Sequence, residues 1–303
     1  MNKSTLGNSD LIVSELALGC MSLGTNEQKA KEIIDKALDS GINYLDTADL
    51  YDQGENEAIV GNVLKGKRDQ VVLATKVGNH LKDDGTWFWD PSKAYIKEQV
   101  KESLRRLRTD YIDLYQLHGG TIDDPIEETI EAFEELKQDG LIRYYGISSI
   151  RPNVIKEFVK HSSIVSVMMQ YSLLDRRPEE EVLDLLADNN ISVVARGPLA
   201  KGMLSDHAIK KVTEKGKQGY LDYSHEELED IANNLNQVSG ETITSLSLRY
   251  ILSHRAVTSA VFGASSIEQV NNNVNALQSS SLSTEQYEEL QNITKAITYD
   301  KHR

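Results

Sequence analysis

Four residues of this chain have the types and spacing to do chemistry together: Asp46, Tyr51, Lys76 and His118. Residues 42–57 (INYLDTADLYDQGENE) open on Ile42, Tyr44 and Leu45. They break at Asp46 into polar, glycine-containing sequence, the pattern of a buried strand entering a loop. Residues 71–76 (VVLATK) read as an apolar strand ending on Lys76, and residues 111–118 (YIDLYQLH) as a strand ending on His118. A carboxylate at a strand end is costly unless it is solvated, paired or functional. Taken alone, Asp46 or Asp49 reads equally as a helix cap, and Tyr51 as a rim aromatic. A lysine closing VVLAT is harder to place on a solvated face and calls for a carboxylate. A cation beside a phenol favours the ionised form. The tyrosine could then give a proton to a carbonyl oxygen, which the histidine would hold or polarise. Such a set is a proton donor with an oxyanion site. It has no nucleophile, so it needs an electron donor from elsewhere.

The elements that must bring these residues together follow from periodicity. Residues 3–14 read as a hairpin turning at Gly7-Asn8-Ser9, and residues 16–19 as a short strand. Helical spacing of Ala30, Ile33, Ile34, Ala37 and Leu38 predicts a helix over 28–40, stopped by Gly41. Further helices are predicted at 56–64, 91–106, 125–139, 152–161, 179–189, 241–254, 266–277 and 284–296. The strands between them fall at 42–46, 71–76, 111–118, 141–148, 164–171, 191–196 and 257–262. Residues 203–240 are polar and read as a long loop with some helix at 226–235. Eight strand–helix pairs over roughly 250 residues are the sequence form of a (β/α)8 TIM barrel, here with an N-terminal β-hairpin and a C-terminal helix. An open doubly wound sheet usually carries GxGxxG after its first strand, and none stands here. No composition break marks a linker, so residues 1–303 are expected to form a single barrel domain.

The bulk numbers narrow the function. The chain has 303 residues, 39% hydrophobic and 26% charged, with 33 basic against 47 acidic residues and a net charge of −14. That balance disfavours nucleic acid and anionic membrane surfaces. It leaves room for a local basic pocket. The single cysteine, Cys20, excludes an intrachain disulfide and reads as a small buried thiol. His80, His161, His207, His225 and His254 have no metal-ligand spacing. No run approaches a membrane span and no signal-peptide core opens the chain, so a cytoplasmic setting is expected. Asp113 is expected to neutralise Arg105, Arg106 or Arg143 on the outer wall, and Trp87, Phe88 and Trp89 to form a substrate wall.

Asp46, Tyr51, Lys76 and His118, with DTADLYDQGENE around the first two, resemble the catalytic tetrad of the aldo-keto reductases. The likeness covers nearly the whole chain. It includes Leu18-Gly19-Cys20-Met21, residues 110–115 (DYIDLY), 140–148 (GLIRYYGIS), 170–174 (QYSLL) and Gly263-Ala264-Ser265. The resemblance implies an NADPH-dependent reductase, of the NADP-dependent alcohol dehydrogenase class, that converts an aldehyde or ketone to an alcohol with Tyr51 as proton donor. Its partner would be a small carbonyl substrate. It further implies that Ser148, Ser149 and Gln170 meet the nicotinamide carboxamide and that Tyr171 packs near its ring. Gly197, Pro198, Leu199 and Gly202 would line the pyrophosphate crossing. Gly263, Ser265, Gln269, Asn272 and Asn273 would hold the adenosine phosphate end, where a helix N-terminus favours a phosphate.

Three departures from the family pattern matter, at four positions. Ser149 stands where asparagine is usual. Arg196 stands where an aromatic or serine is common, and could reach a cofactor phosphate. Gly263 and Gln269 stand where several relatives carry Lys and Arg. The 2′-phosphate would then fall to neutral donors, to Arg196, or to Lys201 and nearby lysines of the long loop, with NADPH still favoured over NADH. Two other functions fit the same barrel: a nicotinamide-binding regulatory or redox-sensor subunit with little turnover, and a Schiff-base lyase on Lys76. A paired Asp46 opposes the lyase, because it favours the ammonium over the free amine.

Overall fold

The computed structural model describes residues 1–82, 84–238, 240–278 and 281–303. Strands β1 (Lys3–Thr5) and β2 (Ile12–Ser14) pair antiparallel as the expected hairpin. The barrel strands are β3 (Leu16–Gly19), β4 (Tyr44–Asp46), β5 (Val72–Val77), β8 (Ile112–Leu117), β9 (Ile142–Ser148), β10 (Ser166–Gln170), β11 (Ser192–Arg196) and β12 (Val257–Gly263). They run parallel in that order and close through β12 onto β3. A second hairpin, β6 (Asn79–Leu81) with β7 (Trp87–Trp89), stands after β5. Helices α1 (Glu27–Asp39), α2 (Glu55–Val63), α3 (Lys93–Leu107), α4 (Ile126–Gln138), α5 (Pro152–His161) and α6 (Val182–Asp188) alternate with the strands. After them come α7 (Ala208–Lys215), α8 (His225–Leu235), α9 (Ile243–Leu252), α10 (Ile267–Ala276) and α11 (Thr284–Ile293).

Two-residue alternation decides which side chains enter the barrel. Ala17, Tyr44, Val72, Ala74, Leu114, Met168, Val194 and Val261 form one interior cluster with Leu6, Leu11 and Val13 of the N-terminal hairpin. The hairpin therefore plugs the end of the barrel where the strands begin. Gly7 makes the plug fit: its N–H donates to Ser192 Oγ at 2.7 Å, its φ is +53°, and a Cβ there would lie 2.0 Å from the Val165 carbonyl oxygen. The alternate residues (Leu45, Leu73, Tyr115, Ile147, Val193) pack outward against the helices. Helix α1 shows the matching pattern, burying Ala30, Ile33, Ile34 and Ala37 on one face behind an Asn26 cap.

One expectation is corrected here, and a second is met with an added partner. The long segment after residue 203 contains α7 as well as α8. Helix α7 spans only two turns and buries just Ala208 and Val212, which is too weak a pattern to read from sequence. Asp113 is buried outside the barrel wall, where it pairs with Arg68 at 2.7 Å and Arg143 at 2.7 Å. Of the three arginines suggested for it only Arg143 serves: Arg105 pairs with Glu102, and Arg106 with Glu57.

Behind the opening loop lies a buried acidic pair. Glu57 accepts from Arg106 Nε at 2.7 Å and from Thr75 at 2.6 Å. The neighbouring Asp49 carboxyl is fully buried and has no ion-pair partner among the described residues. Burial, and after it the Glu57 charge, push the Asp49 carboxyl up to about 8. The unfolded value is near ~3.9, so between about pH 4 and pH 8 the folded chain holds a proton that the unfolded chain has released. Stability falls across that window as pH rises. Asp49→Asn should therefore raise the unfolding midpoint at pH 8, with a gain that shrinks toward pH 4. Thermal unfolding at both pH values checks this, and a gain independent of pH would refute it.

Candidate active site

The strands open at their C-terminal ends into a cleft of about 1290 Å³, lined by Asp46, Tyr51, Lys76 and His118 together. Asp46, Lys76 and His118 get there by alternation. Asp46 follows Tyr44, Lys76 follows Ala74, and His118 comes two residues after Gln116, itself two after the inward-facing Leu114. Strand β5 runs one residue past Lys76, so the lysine sits just inside the rim.

Lys76 is 1% exposed, and its three ammonium protons meet three acceptors: Asp46 Oδ2 at 2.6 Å, the Thr47 carbonyl at 2.8 Å and the Tyr51 hydroxyl at 3.3 Å. Asp46 Oδ1 accepts from Gln116 Nε2 at 3.2 Å. Burial pushes the Asp46 carboxyl up, against the pull of Lys76 and Gln116. For Lys76 burial acts downward, but the charges and hydrogen bonds of Asp46 and Tyr51 together outweigh it and hold the ammonium above its ordinary value. The lysine is thus a fixed cation, with its charge offset on one side and turned to a phenol on the other.

Tyr51 is held from both flanks. Upstream, Asp49 N–H donates to the Lys76 carbonyl at 3.3 Å, and Thr47 Oγ1 to Asn56 Oδ1 at 2.7 Å. Downstream, Asp52, Gln53 and Gly54 have φ of 48°, 56° and 89°. Two non-glycine residues in the left-handed region store strain that the surrounding packing must offset. His118 N–H donates to the Val77 carbonyl at 2.7 Å. Its ring stands edge-on to Tyr51, with centroids 6.0 Å apart. Nδ1 is buried without a partner among the described residues. Burial, then Lys76 and Arg196, push the imidazole down to about 3. It is neutral at physiological pH and can donate a hydrogen bond without competing for the tyrosine's proton.

The other candidate residues fall along the cleft with one exception. Ser148, Ser149, Gln170, Arg196, Gly197, Pro198, Leu199, Gly202, Gly263, Ser265, Gln269, Asn272 and Asn273 all line it. Tyr171 does not. Gln170 points inward on β10, so the next residue points outward: Tyr171 is fully buried and donates to Glu179 at 2.9 Å. The aromatic that reaches the Gln170 amide is Tyr220, whose hydroxyl accepts from Nε2 at 3.0 Å. Nothing in the polar sequence around residue 220 signals this. Lys201, Lys211 and Lys215 also line the cleft, the latter two one turn apart on α7. Their i, i+4 spacing was the available signal, hidden because the helix itself was not legible. The aromatic run is also elsewhere: none of Trp87, Phe88 or Trp89 is among the cleft-lining residues. Trp89 packs against Gly78 and Gly119, where added Cβ atoms would lie 2.6 and 3.3 Å from its ring, and it donates to Asp124 at 2.9 Å.

The far end of the cleft suits a polar, phosphorylated ligand. The Ser266 side chain caps α10, and Ser265 N–H donates to Gln269 Oε1 at 2.7 Å. Asn273 Oδ1 is buried beside them and has no partner among the described residues. An orphaned acceptor in a cleft wall is costly until a ligand donor meets it, which fits an adenine or ribose donor. Lined by both apolar and polar side chains and reaching the N-terminus of α10, the cleft has the form to accept a dinucleotide.

Residues 15–295 match the family model described as "Aldo/keto reductase family". The chain is 59% identical to the uncharacterized oxidoreductase YqkF of Bacillus subtilis, over 100% of both chains. It is 33% identical to an NADH-specific methylglyoxal reductase of Escherichia coli, over 91% of this chain and 94% of that one. Among solved structures, the holo form of aldo-keto reductase AKR11C1 from Bacillus halodurans superposes with a TM-score of 0.95 at 58% identity, covering 100% of this chain and 99% of the other. The chain belongs to the aldo/keto reductase family of oxidoreductases.

Proposed function

We propose that the chain reduces an aldehyde or ketone to the alcohol using NADPH, with Tyr51 as the proton donor. The observation that carries this reading is the Tyr51 hydroxyl, 3.3 Å from a buried ammonium and open to the cleft. The bound cofactor supplies a hydride to the carbonyl carbon. Tyr51 gives its proton to the carbonyl oxygen, so that one hydride and one proton complete the alcohol. Lys76 stabilises the phenolate left behind, and Asp46 keeps Lys76 charged. Neutral His118 donates to the same oxygen and fixes its angle. Ser148, Ser149 and Gln170 orient the carboxamide. Gly197, Pro198, Leu199 and Gly202 would line the pyrophosphate crossing, and Gly263, Ser265, Gln269, Asn272 and Asn273 would hold the adenosine end.

NADPH is favoured over NADH by cations, although α10 supplies none. Between Gly263 and Asn273 there is no Lys or Arg, while Lys201, Lys211 and Lys215 line the same cleft. The NADH-specific relative makes this preference worth measuring directly. A carbonyl panel that includes methylglyoxal, followed by cofactor absorbance with NADPH and NADH in parallel, tests both parts. Turnover confined to NADH would overturn the cofactor assignment. Tight cofactor binding without oxidation by any carbonyl would overturn the enzyme assignment and favour a regulatory subunit. No described helix is long and apolar enough to cross a membrane.

A further inference from the structure

We infer that Arg151 receives the carboxylate of an anionic substrate, so that the cleft selects carbonyl compounds carrying an acid a few atoms from the reacting carbon. The inference rests on the carbonyl-reductase reading above and names its substrate class. Arg151 follows β9 and immediately precedes α5, and its backbone N–H donates to Ser149 Oγ at 3.2 Å. It lines the cleft, and its Nη1 donates to the Gly120 carbonyl. Gly120 stands two residues after His118, and Gly119 and Gly120 line the same cleft. Their φ values of 140° and 122° require glycine. Neither residue therefore carries a side chain to stand between His118 and the guanidinium.

The charge of Arg151 is unmatched. Arg68, Arg106, Arg176, Arg177 and Arg249 are likewise buried or half-buried, and each lies 2.7 to 3.9 Å from a carboxylate. Among the described residues, half-buried Arg151 has no carboxylate within ion-pair distance. Asp124 shares the loop after His118, but its oxygens accept from Thr121 and from Trp89 Nε1. The C-terminal tail also reaches the start of α5, where the His302 carbonyl accepts from Asn153 N–H at 2.8 Å. Asp300 and Lys301 of that tail both line the cleft, and their charges offset. With Nη1 bonded to Gly120, the rest of the guanidinium fork is left to take a carboxylate side-on. Two residues of extended chain span at most about 7 Å. A carbonyl held by Tyr51 and His118 therefore has Arg151 within reach of a short acidic tail. The net charge of −14 repels anions from the protein as a whole, which makes a local cation the more decisive.

Glutarate semialdehyde and its methyl ester, similar in size but differing in charge, test the idea with the unmodified protein and Arg151→Met. The cofactor is whichever the panel above favours. The ratio of kcat/KM for the acid over the ester is expected to fall about tenfold in Arg151→Met, the effect of a charged hydrogen bond reduced by screening. The loss should appear in KM, because Arg151 lies away from the reacting atoms. Glutarate itself should compete with the ester on the cofactor-saturated, unmodified protein. An unchanged ratio overturns the inference. An equal loss for acid and ester also overturns it, and would make Arg151 a brace for the Gly120 loop. If the variant does not fold, glutarate decides: competition that weakens with added salt supports the inference, and no competition overturns it. No turnover of either compound, nor of any carbonyl in the panel, would instead refute the reductase reading itself.

Discussion

Tyr51→Phe is expected to lower carbonyl reduction by roughly 10²–10⁴, the usual worth of a general acid, while the cofactor Kd stays nearly unchanged. The size of the effect follows from the lack of a substitute. Among the described residues, Tyr51 is the only phenol hydrogen-bonded to Lys76. Tyr44 lies deeper in the barrel, fully buried, and burial raises its proton affinity further. The Tyr220 hydroxyl is engaged with Gln170. The phenylalanine ring can keep the packing of the tyrosine against Lys76, whose Nζ lies 5.0 Å from the ring centroid. Cofactor contacts along β9 to β12 are untouched. Steady-state kinetics combined with cofactor titration separates the two effects. Near-normal turnover in the variant would end the assignment of Tyr51 as the acid.

Lys76→Met is expected to abolish activity and also to destabilise the fold by about 3–5 kcal/mol, the range for breaking a buried ion pair from one side. Asp46 is 3% exposed, and without the ammonium its remaining side-chain partner among the described residues is Gln116. Burial already pushes its carboxyl up, so the orphaned group will bind a proton and return part of the loss as pH falls. Adding Asp46→Asn should restore most of the stability at neutral pH while leaving activity absent. Denaturant unfolding of the two variants decides the matter. A double variant as unstable as Lys76→Met alone would show that the two residues do not depend on each other.

How far the sequence could be read depended on whether one periodicity determined the answer. VVLATK and YIDLYQLH carry enough apolar residues to fix both the strand and where it ends, and closing the ring then brings Lys76 and His118 beside Asp46. The same two-residue rule excludes Tyr171 once Gln170 faces inward; parity and family likeness disagree there, and parity holds. Arg143 was identifiable as a partner of Asp113, whereas Arg68, 45 positions upstream (113 − 68), was not. Its 3-10 turn carries no pattern that points toward β8. Helix α7 and Tyr220 were illegible for a related reason. Two buried residues in eight do not make a detectable stripe, and a tyrosine in a polar loop gives no direction. What the sequence hid is the wall of the cleft built by the segment between β11 and α9, where tertiary contacts rather than local pattern decide the conformation.

The closure of β12 onto β3 has a consequence for synthesis. Ser259 Oγ donates to the Ser14 carbonyl at 2.8 Å across 245 residues of chain, and Leu16 pairs in register with Ala260. At translation speeds of ~5–20 residues per second, β3 leaves the ribosome roughly 12–50 s before its partner exists. During that wait β3 is an edge with an unpaired row of backbone groups and with Leu16 and Leu18 uncovered. Such an edge is a template for pairing between nascent copies. Any chain released before β12 is made would keep two open edges, β3 and β11, that no later event could join.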